Sequence, residues 1–281
     1  MFKVFDIHTH TYPEAISERA CVNLGRFYNF VTEGKGTYAD LESQAVENNV
    51  GGYLLFSVAT NAHQVEKVNT SIAELVKLSR SHGFESYGFA GMHQDFSDFE
   101  GELDRCISLG LCGVKLHPDI QGVDINDSRL LPLYELMQER GLRLYLHMGD
   151  DRPEYRFSEA KKLVDILERF PSLVVVAAHL GGFRAWEASA HLLAGHENVW
   201  YDTSSALWAM TPEYAEELIA RLGYDRVMFG TDYPVKRTKG ELERFFKLRL
   251  TDSQREDILW NNAMRFLSYA DGLSAQRTVG E

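Results

Sequence analysis

The sequence predicts an α/β fold, a single-domain (β/α)8 TIM barrel over residues 1–281 with an extra C-terminal helix. Eight apolar runs with strand character alternate with helix-like segments, which is typical of a parallel sheet. The length also suits closure of the sheet, because barrels of this kind typically have about 250 residues. A doubly wound open sheet is the alternative, but no G-x-G-x-x-G motif follows the first strand.

The eight runs have the length and apolar character of buried strands. They are FKVFDIHTH (2–10), GGYLLFSVAT (51–60), SYGFAGMHQD (86–95), CGVKLHPDIQG (112–122), LRLYLHMGD (142–150), SLVVVAAHLGG (172–182), NVWYDTSS (198–205) and DRVMFGTDYP (225–234).

Helical periodicity marks the segments between several of these strands, for example residues 65–83, 158–170 and 211–223. Several end in a glycine that suits a helix C-cap, namely Gly83, Gly110, Gly141 and Gly223. Residues 252–270 predict a last helix packed on the outside of the barrel. Residues 11–36 form a long first connection, for which a functional loop and an ordinary helical excursion both stay open.

The composition argues against several classes of partner. The net charge is -12, so the protein would repel phosphate backbones and anionic membranes, and we expect neither as a partner. Three cysteines without a C-x-x-C motif suit a reducing compartment. No signal-peptide core opens the sequence and no apolar run could cross a bilayer, so the sequence predicts a cytoplasmic protein.

Polar residues gather at the ends of the predicted strands. Asp202 and Asp232 end the last two, and six of the ten histidines end earlier ones: His8, His10, His93, His117, His147 and His179. The carboxyl ends of barrel strands meet at one mouth, where barrel active sites lie. The sequence therefore predicts an active site built mainly of histidine.

A metal site is the chemistry that these residue types favour. His8 and His10 share one strand face with Asp6, because a strand alternates with period two. His147 and Asp232 would complete a site of three nitrogens and one oxygen with room for water. Taken singly, His147 could instead be a rim histidine, and Asp232 a turn residue.

The remaining candidates have open roles. His179 could be a further ligand or a general base. His117 and Lys115 share a strand face and are candidates for substrate binding. A carbamylated Lys115 could bridge two metals, although an ion pair with a nearby acid is the simpler alternative. Arg152 could pair with a substrate carboxylate, whereas surface solvation is the default for such a residue.

The ordered motifs DIHTH, KLHPDIQG, HMGD, AAHLGG, FGTDYP and NNAMRFL resemble the amidohydrolase superfamily. More narrowly, the chain resembles the amidohydrolase-related group that includes aminocarboxymuconate semialdehyde decarboxylase. The resemblance implies a barrel with a divalent metal, usually zinc, held by His8, His10, His147 and Asp232. It also implies that His179 is a catalytic group or a second-metal ligand. TatD-type nucleases place a glutamate where this chain has Lys-Leu-His, which argues against a nuclease.

The leading functional hypothesis from the sequence is metal-dependent hydrolysis of a small molecule by metal-activated water. Asp232 would ligate the ion and accept the proton of the water, and His179 would stabilise or protonate the developing charge. The alternative is a non-oxidative decarboxylase of a small carboxylated aromatic or dienoic substrate. A non-catalytic binding protein is a third hypothesis. One ion is expected, with Zn2+ favoured and a second ion left open, as is a homo-oligomer.

Overall fold

The computed structural model describes residues 2–268, in which parallel strands alternate with helices. The strands are β1 Val4–His10, β2 Val50–Phe56, β3 Glu85–Gly88, β4 Ala90–Gly91, β5 Gly113–Leu116, β6 Arg143–Leu146, β7 Val175–Ala177, β8 Val199–Asp202 and β9 Val227–Met228.

The helices lie mainly between successive strands. They are α1 Glu14–Tyr28, α2 Tyr38–Glu47, α3 Val65–Ser81, α4 Phe99–Ser108, α5 Pro118–Gln121, α6 Leu131–Arg140, α7 Ala160–Arg169, α8 Trp186–Leu193, α9 Pro212–Leu222, α10 Thr238–Phe245 and α11 Asp252–Glu256. All four glycines predicted as helix C-caps have positive φ angles, between 66° and 97°.

The strands close into a barrel. The backbone pairing runs in the order β1-β2-β3 and then β4 to β9, all of it parallel. The Phe89 N–H donates to the Leu55 carbonyl at 3.0 Å, so β3 and β4 are two parts of one barrel strand. The Ile7 N–H donates to the Phe229 carbonyl at 3.0 Å and joins the last strand to the first. The predicted (β/α)8 barrel is therefore confirmed.

The C-terminal helix closes one end of the barrel. A π-helical segment, Asp257–Asn261, continues α11 and leads into further helix up to residue 268; the predicted residues 269–270 lie outside the described residues. Trp260 packs edge-on against Phe5, and Phe266 lies against Trp200. The buried Arg143, the first residue of β6, donates to the Phe266 carbonyl at 2.6 Å. This helix thus covers the end at which the strands begin, rather than lying outside the barrel.

Candidate active site

The opposite end of the barrel, where the strands finish, brings the predicted site residues together. His8 and His10 end β1, His147 follows β6, and His179 follows β7. These four histidines are at most 6% exposed, and the Asp232 side chain beyond β9 is 14% exposed. The barrel topology therefore assembles side chains from positions more than 200 residues apart in the sequence.

Three ligand atoms converge at the centre of this mouth. His8 Nε2 lies 3.2 Å from His10 Nε2 and 3.2 Å from Asp232 Oδ1, and His10 Nε2 lies 3.7 Å from the same oxygen. Ligands about 2.0–2.2 Å from a tetrahedral ion are separated from one another by roughly 3.4 Å. The spacing and the mixed nitrogen and oxygen donors therefore fit one divalent metal.

His147 and His179 face each other beside this cluster, with His147 Nδ1 and His179 Nε2 2.9 Å apart. His179 Nδ1 lies 2.9 Å from the Ser204 carbonyl oxygen, which can only accept. Its proton is therefore on Nδ1, and Nε2 presents a lone pair towards His147. The structure thus brings all five predicted metal and catalytic residues to one place, and their individual roles stay predictions.

Asp202 holds the histidines from behind. Its Oδ2 accepts from His8 Nδ1 at 3.0 Å, and its Oδ1 accepts from the His179 N–H at 3.1 Å and the Ser204 N–H at 2.8 Å. The Tyr145 hydroxyl also donates to Oδ2. With its proton held on Nδ1, His8 directs the Nε2 lone pair towards His10 and Asp232. Metal-ligating histidines are commonly anchored to a carboxylate in this way.

The electrostatics of the mouth suit a cation. Burial would raise the pKa of Asp232, but the charge of His8 and its hydrogen bond to this carboxylate hold the pKa well below its usual range. Burial lowers the pKa of His10 and His147 far below the ordinary value, so both are neutral lone-pair donors. The pKa of His8 is raised against the effects of burial and Lys115, because Asp232 and Asp202 favour positive charge there.

A second group of polar side chains surrounds the outer nitrogen of His147. His147 Nε2 lies 3.6 Å from Asp119 Oδ2, which accepts from the Ser158 hydroxyl at 2.8 Å. The ring of His117 stacks on that of His147 with centroids 3.9 Å apart. The Tyr28 hydroxyl lies 2.8 Å from His117 Nε2 and 3.3 Å from His147 Nε2. Tyr28 is the last residue of α1, so the first connection is helical and the end of its helix reaches the site.

Lys115 and Arg152 have surroundings that the sequence did not indicate. Lys115 is 1% exposed, its Nζ lies 3.4 Å from His8 Nε2, and burial lowers its pKa to about 8. Within the described chain, Lys115 forms none of the ion pairs expected as the simpler alternative. The Arg152 guanidinium pairs with Asp150 at 2.6 Å and donates to the Phe27 carbonyl at 2.6 Å, so it fastens the end of α1. Substrate binding by either residue stays a prediction.

Asp6, which the strand period places on one face with His8 and His10, has partners of its own. Its carboxylate accepts from the Thr231 N–H at 3.0 Å and from the Thr231 hydroxyl at 2.7 Å, rather than joining the ligand cluster. A register shift between Asp6 and Thr9 interrupts the regular pairing of β1 with β2. His8 and His10 therefore meet in the ligand cluster, whereas the Asp6 carboxylate is bound by Thr231.

Several site residues have a left-handed backbone. His179 has φ 61°, Asp232 has φ 60° and Ser205 has φ 51°. Such conformations cost non-glycine residues of the order of 1–2 kcal/mol each. The turns that follow β7, β8 and β9 therefore aim these side chains into the mouth at a cost in stability.

A cavity of about 1390 Å³ opens above these residues. His10, His117, His147, His179 and Asp232 line its inner end, and Phe27, Tyr28, Phe183 and Trp208 are among its aromatic walls. Ligand pockets are commonly about 300–1,000 Å³, so this cavity is large. Its polar inner end and apolar walls can hold a small molecule by one reactive end.

Sequence reasoning missed three groups at the site: Tyr28, Asp119 and the network around Asp202. Asp202 had a signal, because it ends a predicted strand beside the mouth. Asp119 follows His117 by two residues in LHPD, and this short spacing was a weaker signal. Tyr28 had none, because its place depends on how α1 crosses the mouth.

Comparisons with known proteins identify the family of this chain. A family model described as amidohydrolase matches residues 5–268. The chain is 26% identical to 2-amino-3-carboxymuconate-6-semialdehyde decarboxylase of Dictyostelium discoideum, in a match covering 59% of this chain and 56% of that protein. The chain thus spans a little over half the length of this curated relative.

Two solved structures show the same fold. One is 5-carboxyvanillate decarboxylase from Sphingomonas paucimobilis, with a TM-score of 0.74, 14% identity, and coverage of 95% of this chain and 99% of that chain. The other is a dihydroxybenzoic acid decarboxylase from Polaromonas sp. JS666 with bound manganese and an inhibitor. Its TM-score is 0.70 at 16% identity, covering 95% of this chain and 97% of that chain. None of the helices described for this chain is both long and apolar enough to span a bilayer.

Proposed function

The chain belongs to the amidohydrolase family, and from this premise we propose that it is a metal-dependent, non-oxidative decarboxylase. Its substrate would be a small carboxylated aromatic or dienoic acid. The main observation in support is that His8 Nε2, His10 Nε2 and Asp232 Oδ1 lie within 3.2–3.7 Å of one another at the inner end of the cavity. The curated relative and the two similar structures are decarboxylases, so this proposal is better supported than hydrolysis.

His8, His10 and Asp232 would hold one divalent ion, with His147 as the fourth ligand. Zn2+ suits histidine and aspartate, and Mn2+ is the ion bound in the dihydroxybenzoic acid decarboxylase. When bound, the ion would supply a Lewis acid that holds and polarises substrate oxygens. Asp202 keeps His8 in the tautomer that leaves Nε2 free, and the Ser204 carbonyl does the same for His179.

His179 would deliver the proton that replaces the lost carboxylate. Burial lowers the pKa of His179 to about 4, so its ring is neutral at rest. An anionic substrate nearby raises the pKa of an imidazole, so substrate binding would favour proton uptake at Nε2. The substrate carbon then accepts this proton, and the bond to the carboxylate breaks. Its electron pair restores the π system of the substrate, and carbon dioxide leaves.

The test is a substrate panel in deuterium oxide. Metal-loaded protein is incubated with carboxylated aromatic acids, including 2,6-dihydroxybenzoate and 5-carboxyvanillate. We expect release of carbon dioxide and one deuterium on the carbon that carried the carboxylate. Asp232→Asn and His179→Asn should abolish turnover with the fold retained, whereas the exposed Asp225→Asn should not. Products that gain oxygen from labelled water and release no carbon dioxide would establish hydrolysis instead.

A further inference from the structure

We propose that the substrate carries an apolar extension that lies in a trough between α1 and α3. This inference rests on the proposed function and adds the shape of the substrate. The trough is the part of the cavity that runs outwards from the metal-ligand cluster, and it is continuous with the inner end lined by His10 and His147.

Two apolar stripes form the walls of the trough. Positions on one face of a helix recur every three or four residues. The α1 wall consists of Ile16, Ala20, Leu24 and Phe27, and the α3 wall consists of Val68, Ile72, Leu75 and Leu78. Eleven residues separate Ile16 from Phe27, so at 1.5 Å per residue the α1 wall is about 16 Å long.

The apolar stripe of α1 is not the face by which this helix packs on the protein. The buried residues of α1 are Ser17, Cys21 and Gly25, which recur every four residues on another face. Ile16 is 39% exposed and Leu78 is 42% exposed, so the trough is open to solvent at both residues. Exposed apolar surface that continues into a polar site is typical of a ligand-binding groove.

The occupant that fits best is a neutral hydrocarbon group attached to the reacting acid. The cavity volume of about 1390 Å³ far exceeds what a single aromatic ring needs. The outer rim carries charges of both signs, with Arg19, Lys67 and Glu74 among the lining residues, so it does not select a charged tail. A second copy of the chain could also cover an apolar groove, but the trough leads directly to the catalytic end.

Binding of unreactive acids tests the proposal independently of turnover. The affinity of metal-loaded protein for 4-methyl-, 4-butyl- and 4-octylbenzoate is measured by titration calorimetry. Full burial of one methylene raises the affinity about fourfold. In a trough open on one side we expect about half of that free energy, which is about twofold per methylene. The four methylenes from butyl to octyl should therefore raise the affinity roughly 16-fold.

Two tryptophan variants on α1 locate the tail. Ala20→Trp fills the trough and should remove the gain from butyl to octyl while preserving affinity for the methyl compound. Val22→Trp is the control, because Val22 is 45% exposed and does not line the cavity. Equal affinities across the series, or equal effects of the two substitutions, would overturn the proposal. The proposal would also be overturned if the wild-type protein sedimented as a dimer and Ala20→Trp dissociated that dimer. A preserved chain-length effect without carbon dioxide release would refute only the decarboxylase.

Discussion

Asp202→Asn should weaken metal binding although Asp202 is not among the proposed ligands. In the native site, Oδ1 accepts from the His179 N–H and the Ser204 N–H, while Oδ2 accepts from His8 Nδ1. An asparagine oxygen would keep the Oδ1 position, because more donors point there. Its amide group would then face His8 and donate to Nδ1. The His8 proton would move to Nε2, which is the atom needed as a lone-pair donor.

The magnitude follows from this change of tautomer. Loss of the carboxylate that orients a ligating histidine typically costs about 10–100-fold in metal affinity. This range corresponds to about 1.4–2.8 kcal/mol of binding free energy. The pKa of Asp202 is held below its usual range by His8 and by the hydrogen bond from Ser204 against the effect of burial, so the native residue is a carboxylate at neutral pH.

The assay is competition for Zn2+ or Mn2+ between the protein and a chelator of known affinity. The ion bound at each chelator concentration is counted by mass spectrometry. Asp225→Asn is the matched control, because the Asp225 side chain is 69% exposed. A metal affinity of Asp202→Asn within about twofold of the wild type would refute the argument that Asp202 sets the His8 tautomer.

Three further predictions concern stability. Burial raises the pKa of Glu241 to about 7, so the folded state holds its proton more tightly and the free energy of unfolding falls as pH rises through about 4.5–7. Urea titrations of metal-free protein should show that the free energy of unfolding of the wild type falls by up to ~3 kcal/mol in this window, and that of Glu241→Gln by less. Equal losses in the two proteins would contradict the raised pKa of Glu241. Saturating a chelated sample with Zn2+ or Mn2+ at a hundred times its Kd should add about 2.7 kcal/mol and raise the Tm by about 5 °C; an unchanged Tm with both ions would count against the metal site. Gly52→Ala would place a Cβ 2.0 Å from the Glu85 carbonyl oxygen and should destabilise the fold by about 1–3 kcal/mol or more. Gly51→Ala, whose Cβ mainly meets the movable Lys3 side chain, is its control, and similar unfolding midpoints would refute the clash.

The fold was predictable because its signals are local. Each predicted apolar run contains a barrel strand, and the strand order follows from parallel pairing. The ends are less regular: β9 has ladder pairing only over Val227–Met228, although the apolar run extends to Pro234. The predicted position of the C-terminal helix was wrong, because the same amphipathic pattern suits a helix on the outside of the barrel and a helix that covers its end.

The candidate site was predictable where its residues end strands. His8, His10, His147 and His179 share that position, so the barrel topology alone brings them together. Tyr28 lies on a helix between the first two strands, and no local pattern encodes how that helix crosses the mouth. Side-chain partners also decide details that spacing cannot, as for Asp6, whose carboxylate binds Thr231.

The left-handed backbone at His179, Ser205 and Asp232 has a consequence for how this barrel could evolve. Glycine would fit each of these conformations more comfortably. A descendant that no longer needed the chemistry could therefore gain folding stability by replacing these residues with glycine. At these three turns the chain therefore keeps imidazole, hydroxyl and carboxylate side chains that its backbone conformation does not favour.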